Sequence, residues 1–294
     1  MHVPLGYHKK VVGILVGALI ALVIVLAIVI LQANWFIANS PITNPYLQSK
    51  EAVVIASESG GEEIILPIEK VLFEYIEVVD SCDAYFVGTC LNVRSGPGED
   101  YEKIARLRIG AVLKVGGQVE RDGRVWYKIV FDEWIRYPER IEDDWYVAAD
   151  YVIALLDEGV QNLTARSDKT NKKIIVSRLE QKLYAYDGDE LFIEESISTG
   201  LELTPTPRGI FTVFKKTPSR YMQGPIPGIS EKYYDLPGVP WNLYFTSQGA
   251  VIHGTYWHQN FGKPSSNGCV NLIPSKAKEL YAWADVGTKV IVQD

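Results

Sequence analysis

The stretch Ala250-Val-Ile-His-Gly-Thr255, followed across a polar loop by Ser265-Ser-Asn-Gly-Cys-Val-Asn-Leu272, decides how this chain is read. Its first half is a short apolar run that reads as a strand ending in a histidine. Its second half puts a cysteine directly after an Asn-Gly turn signal. By base rate a cysteine entering an apolar segment is a buried hydrophobe. A nucleophilic thiol of ordinary pKa is mostly protonated at neutral pH, so a base or a cation must stand beside it. The chain has 4 histidines, and His2 and His8 precede a long apolar segment that separates them from Cys269. His253 leaves a rigid strand end, whereas His258 falls in the polar loop from Tyr256 to Asn260, where mobility is expected. The reading therefore takes Cys269 as nucleophile and His253 as base.

Working outward, strands begin at Ile174, and Asp187-Gly-Asp between Leu183–Tyr186 and Leu191–Ile193 is a hairpin signal. Further strands are expected at Ile210–Phe214, Trp241–Phe245 and Ala250–Ile252. Thr217 to Pro240, with five prolines and with Tyr221, Tyr233 and Tyr234, reads as a long structured loop that closes over a site. One short helix is expected near Ser275–Ala284, where Ala277, Leu280, Tyr281 and Ala284 share a face. The domain from 173 to 294 is mainly β.

Upstream, the strands Tyr85–Val87, Leu91–Arg94, Val112–Val115, Trp126–Phe131 and Trp145–Val147 lie within residues 69–156 and point to a small β-barrel. A polar linker, 157–172, follows it. Residues 33–68, punctuated by Asn-Ser-Pro, Asn-Pro and Ser-Gly-Gly, read as a stalk. From Val11 to Leu31 every side chain is that of Val, Ile, Leu, Ala or Gly, enough at about 1.5 Å per residue to span a hydrocarbon core. Residues 11–32 are therefore expected to be a single transmembrane helix. Lys9 and Lys10 before it, with no basic residue after it until Lys50, put the tail 1–10 in the cytoplasm and the rest outside the membrane. In that compartment Cys82 and Cys90 can form a disulfide, worth roughly 2.6 kcal/mol by loop entropy. A net charge of −7 provides no basic surface for nucleic acid, and 3 cysteines without Cys-x-x-Cys spacing make no structural zinc site. Neither a metal nor a cofactor is expected.

Leu91-Asn-Val-Arg-Ser-Gly-Pro-Gly98, with Trp126-Tyr-Lys-Ile129 and Asp144-Trp-Tyr-Val147, resembles bacterial SH3 domains; the segment Phe131–Asp143 departs from them as an insert rich in charge and aromatics. His253-Gly-Thr and Ser266-Asn-Gly-Cys-Val-Asn271, with Thr206-Pro-Arg-Gly-Ile-Phe211 upstream, resemble the catalytic domain of L,D-transpeptidases of the YkuD type. That resemblance implies a cysteine acyltransferase acting on peptidoglycan stem peptides. Cys269 would attack a tetrapeptide stem, release its terminal D-amino acid and pass the acyl group to an amine of a neighbouring stem. It also implies that the carbonyl of Gly254 or Thr255 orients His253, that N–H groups of Asn267, Gly268 and Cys269 form the oxyanion hole, and that carbapenems acylate Cys269. Ser266, Asn271, Arg208, Tyr233 and Tyr234 become candidate substrate contacts. Asn267 stands where the family usually has histidine, so the competing reading is a catalytically decayed wall-binding protein that works through its SH3-like module.

Overall fold

Alternating buried and open side chains build the C-terminal half of the chain as two facing sheets: Ile174 and Val176 on one strand, Leu183 and Ala185 on the next and Val290 and Val292 on the last all turn inward. The computed structural model of the protein describes residues 52–55, 64–80, 91–156 and 171–294. The tail 1–10, the apolar segment 11–32, and Cys82 and Cys90 with the bridge expected between them lie outside the described residues. Among the described residues no helix is long and apolar enough to cross a membrane.

β1 (Ala52–Ile55) pairs antiparallel with β2 (Ile64–Pro67), so the stretch read as a stalk carries a small hairpin. Leu66 and Ile68, at its end, pack against Val119, Trp126, Tyr146 and Ala148. Next come β3 (Tyr75–Val78), β4 (Leu91–Arg94), β5 (Lys103–Leu107), β6 (Val112–Arg121), β7 (Arg124–Ile129), β8 (Trp145–Ala148) and β9 (Val152–Leu155). They form one sheet in the order β5-β4-β8-β7-β6-β3-β9. The expectation of a closed barrel is corrected here, because the end strands β5 and β9 do not pair. Within this sheet β6 is 10 residues long and changes partner along its length: Val112–Lys114 pair with β3 and Val115–Arg121 with β7, with a register shift between Val115 and Gly117. A register shift of this kind is a β-bulge, which bends the strand locally.

The remaining strands are β10 (Lys172–Ser177), β11 (Lys182–Asp187), β12 (Glu190–Ser196), β13 (Gly209–Thr212), β14 (Lys215–Ile226), β15 (Ser230–Tyr244), β16 (Val251–Gly254), β17 (Val270–Leu272) and β18 (Lys289–Gln293). One sheet runs β12-β11-β10-β18-β13 and the other β14-β15-β16-β17. Between them Trp241, Leu243, Ile252, Val270 and Leu272 meet Ile174, Val176, Leu183 and Val290 in one core. The helix Pro274–Trp283, with proline in its first turn, closes that core with Ala277, Leu280 and Tyr281.

Thr217 to Pro240 is not a loop but most of the hairpin β14–β15. Its prolines misled because strand interiors exclude them unless a donor is not needed. β14 is an edge strand with register shifts at Arg220/Met222 and Gly224/Ile226, and β15 reaches its second neighbour, β16, only at Leu243 and Tyr244. Pro218, Pro225, Pro237 and Pro240 therefore sit where few N–H groups are missed.

Candidate active site

β16 and β17 run parallel, with Ile252 opposite Val270 and His253 opposite Asn271. Side chains alternate along each strand, and Cys269 stands one residue before β17. Val251 and His253 therefore share a face with Cys269 and Asn271. Gly268 carries the turn into β17 at φ 111°, a conformation that side-chain-bearing residues rarely adopt.

His253 is fully buried. Its Nδ1 lies 2.9 Å from the Gly254 carbonyl oxygen, so Nδ1–H donates there and Nε2 is left as the basic nitrogen. That Nε2 is buried and has no hydrogen-bond partner among the described residues. The Trp257 ring stacks on the imidazole with centroids 5.7 Å apart. Burial pushes the His253 pKa down to about 4; the Gly254 carbonyl opposes this, and Arg220 and His258 add to it. Cys269 is half-buried, with Sγ 3.9 Å from the Gly249 carbonyl. Burial raises its thiol above the usual value, while Arg220 and the Val251 backbone lower it. At rest the pair is therefore a neutral thiol and a neutral imidazole.

Around the cysteine, Ser266 Oγ donates to the Cys269 carbonyl at 2.6 Å and accepts from Gly268 N–H at 3.1 Å. Thr206 Oγ1 lies 3.4 Å from the same carbonyl. Of the three amides expected to bind an oxyanion, that of Gly268 is thus committed to Ser266, and those of Asn267 and Cys269 remain. The Thr255 amide is likewise committed, donating to Leu272 O at 2.8 Å. His258 is not a loose loop residue. Its Nδ1 accepts from Asn260 N–H at 3.1 Å, and its Nε2 is 2.9 Å from the Asn271 amide nitrogen. With Nδ1 accepting, the neutral ring carries its proton on Nε2, and an Asn271 amide turned to present its oxygen satisfies that proton and its own buried Oδ1 together.

These groups open into a cleft of roughly 710 Å³ lined by Cys269, His253, Ser266, Asn267, Gly268 and Asn271, with Tyr234 on the hairpin side. Burial pushes the Tyr234 hydroxyl up to about 12, so it stays a neutral donor. Tyr233 is 65% exposed and lies off the cleft. Arg208 does not line it either, but pairs with Asp294 at 2.8 Å on the surface, an interaction worth about 1 kcal/mol or less. Sequence reasoning missed Arg220, Trp134 and Arg136, all of which line the cleft. Arg220 was hidden inside a stretch read as a loop. Trp134 and Arg136 belong to the insert Phe131–Asp143, whose unusual aromatic and charged content was the available signal.

Comparison with known proteins gives the site its context. The family described as the L,D-transpeptidase catalytic domain matches residues 171–292, and the bacterial SH3 domain family matches residues 90–152. Two Bacillus proteins named as L,D-transpeptidases are similar. YkuD of Bacillus licheniformis is 28% identical over 142 residues, covering 47% of this chain and 73% of that protein. YqjB of Bacillus subtilis is 30% identical over 108 residues, covering 34% and 58%. Among solved structures, an L,D-transpeptidase of Enterococcus faecium is 28% identical with a TM-score of 0.38, covering 42% of this chain and 50% of that one. The chain thus spans about half the length of that relative. An L,D-transpeptidase from Mycobacterium smegmatis is 20% identical with a TM-score of 0.40, covering 58% and 91%. Residues 171–292 are thus similar to L,D-transpeptidase catalytic domains, which are acyltransferases, and residues 90–152 to bacterial SH3 domains.

Proposed function

We propose that the chain is a peptidoglycan L,D-transpeptidase with Cys269 as nucleophile and His253 as general base. The observation that carries the reading is the unpartnered Nε2 of His253. With Nδ1–H spent on Gly254, its lone pair has no partner among the described residues, and the ring shares a face with Cys269.

In this reading Nε2 takes the thiol proton as Sγ attacks the carbonyl carbon of the bond before the terminal D-amino acid of a tetrapeptide stem. Proton transfer and attack go together, since burial disfavours the separated thiolate and imidazolium. Negative charge passes to the carbonyl oxygen, for which the Asn267 and Cys269 amides are the free donors. Collapse breaks the C–N bond, the leaving amine takes the imidazolium proton, and a thioester remains on Cys269. An amine of a neighbouring stem then attacks the thioester carbon and gives its proton to His253. Sγ leaves as thiolate and recovers that proton. Location outside the membrane, with the N-terminus cytoplasmic, rests on the apolar segment 11–32 and its flanking lysines.

The test is intact-mass analysis of the protein after incubation with a tetrapeptide stem and, separately, with a carbapenem. The expected result is a covalent adduct on Cys269 with each and release of the D-amino acid from the stem. Wild-type protein that forms neither adduct is a decayed enzyme, and a wall-binding role of the SH3-like sheet then replaces this reading.

A further inference from the structure

Among the described residues three cations line the cleft, Arg136, Arg220 and Lys232, and no Asp or Glu does. In a chain of net charge −7 this is a local inversion, and a cleft of one sign concentrates ligands of the other. Arg220 acts on the reacting pair itself, lying close enough to bear on both Cys269 and His253.

Arg136 comes from a different part of the fold. It sits in the insert between β7 and β8 of the seven-stranded sheet, its guanidinium 5.1 Å from the Trp134 ring. Its charge reaches Tyr234 of the hairpin. No carboxylate of the described residues forms an ion pair with it, in contrast to Arg121 and Arg124 of the same sheet and Arg140 of the same insert. The backbone that carries Arg136 is fixed by directed bonds to the hairpin β14–β15. Tyr137 N–H donates to Gln223 Oε1 at 2.7 Å, and Gln223 Nε2 donates back to Tyr137 O at 3.2 Å. Tyr137 Oη donates to Pro225 O at 2.8 Å, Arg140 Nη1 to Gly224 O at 3.0 Å, and Tyr221 N–H to Glu133 Oε1 at 2.6 Å. The Tyr221 ring packs on Phe131 with centroids 5.2 Å apart. A guanidinium with no ion pair among the described residues, carried on a backbone anchored in this way at a catalytic cleft, is a candidate receptor for an anion.

We propose that Arg136, carried by the SH3-like sheet, is a specificity-determining residue that holds a carboxylate of the donor stem. The carboxylate is the one on the side chain of the stem's third residue, and a donor in which that group is an amide or an amine is disfavoured. The third residue supplies the acyl carbon, so its side chain branches one bond from the reacting centre, inside the cleft that Arg136 lines. This inference rests on the transpeptidase reading for the orientation of the donor.

Recognition is tested apart from chemistry in the full chain carrying Cys269→Ala, which cannot be acylated. It is titrated by calorimetry with four tetrapeptide stems whose third-residue carboxylate and C-terminal carboxylate are each free or amidated. Amidation of the side chain is expected to weaken binding about tenfold. Adding Arg136→Gln should erase that difference while leaving affinity for the side-chain amide within about twofold, and Arg136→Lys should restore part of it. The proposal is overturned if the difference survives Arg136→Gln, if only C-terminal amidation weakens binding, or if Arg136→Gln weakens all four stems equally. Acylation of wild-type Cys269 by the same stems reads the enzyme assignment separately: discrimination in binding without any thioester sinks the transpeptidase reading and leaves the receptor standing. Absence of binding by every stem ends both.

Discussion

The two walls of the cleft are assembled in opposite ways. Cys269 and His253 come from neighbouring strands, and a parallel register of three residue pairs is enough to set them on one face. The facing wall joins Trp134 and Arg136 to Arg220 and Tyr234, and its bonds link residues 84 to 88 apart in sequence without a shared ladder. Reacting groups are thus held by local strand geometry, whereas the groups facing the substrate depend on long-range packing between two sheets. Damage to the first should remove chemistry, and damage to the second should change which substrate is chosen and how firmly the wall stands.

The largest effect belongs to Cys269→Ala. It should lower acylation by at least about 10⁴-fold with the fold retained, because a small side chain replaces one of similar size. Intact mass after carbapenem treatment, with circular dichroism as control, checks it.

His253→Gln should lower the acylation rate by about 10² to 10⁴-fold. His258→Ala should cost much less, since His258 acts through Asn271. If His258→Ala proves the more harmful, the base has been chosen wrongly. The pH dependence sharpens this. Because burial holds His253 down to about 4, its basic form is present at all higher pH, so the acid limb of acylation should lie near pH 4 and not near 6.5. Stability moves with it. As pH falls from about 6.5 to about 4 the unfolded chain binds a proton at His253 that the folded chain refuses, and about 3 kcal/mol of stability is lost. Denaturant titrations across that range should show the decline, flattened in His253→Gln.

Asn267→His should change acylation by about tenfold or less, measured in single turnover, since the proton already has His253 as its acceptor. An inert wild type beside an active Asn267→His would mean that the local wall has decayed.

The last effect concerns the distant wall and bears on stability, not on chemistry. Burial pushes the Glu133 carboxyl up to about 7, so the folded protein holds a proton that the unfolded chain releases above about 4.3, and ionised Glu133 weakens the fold as pH rises through 7. Glu133→Gln keeps an acceptor for Tyr221 N–H and should raise Tm at pH 8 by clearly more than at pH 5, where only the first part of the loss has set in. An equal shift at both values would mean that charge is not the cause.

The same contrast governs how much was legible in the sequence. The strand before His253, the turn before Cys269 and the helix with Ala277, Leu280 and Tyr281 follow from alternation, turn residues and helical spacing, all of which act over a few residues. The hairpin β14–β15 was unreadable because its prolines fall on an edge and at register shifts, features that exist only once neighbours are known. The open sheet was missed because whether the end strands of a sheet pair is settled by long-range contacts that no short run of residues records. Arg136 and Arg220 were beyond reach for the same reason: a cation at a rim is told from one on a solvated surface only by what folds against it. The Gly268 amide was expected to face the substrate, but a hydroxyl two residues earlier binds it.

The apolar interior of the SH3-like sheet does not stop at that sheet. Ile76, Leu107, Val115 and Trp145 are packed in one cluster with Tyr221, Leu236, Tyr256 and Trp257 from the hairpin and from the segment just after His253. The apolar core therefore crosses the boundary that sequence families delimit. A fragment cut to residues 171–294 would expose the aromatic floor beneath the stacking partner of its own base. Cooperativity ties the survival of the imidazole's environment to a module that takes no part in the proton transfer.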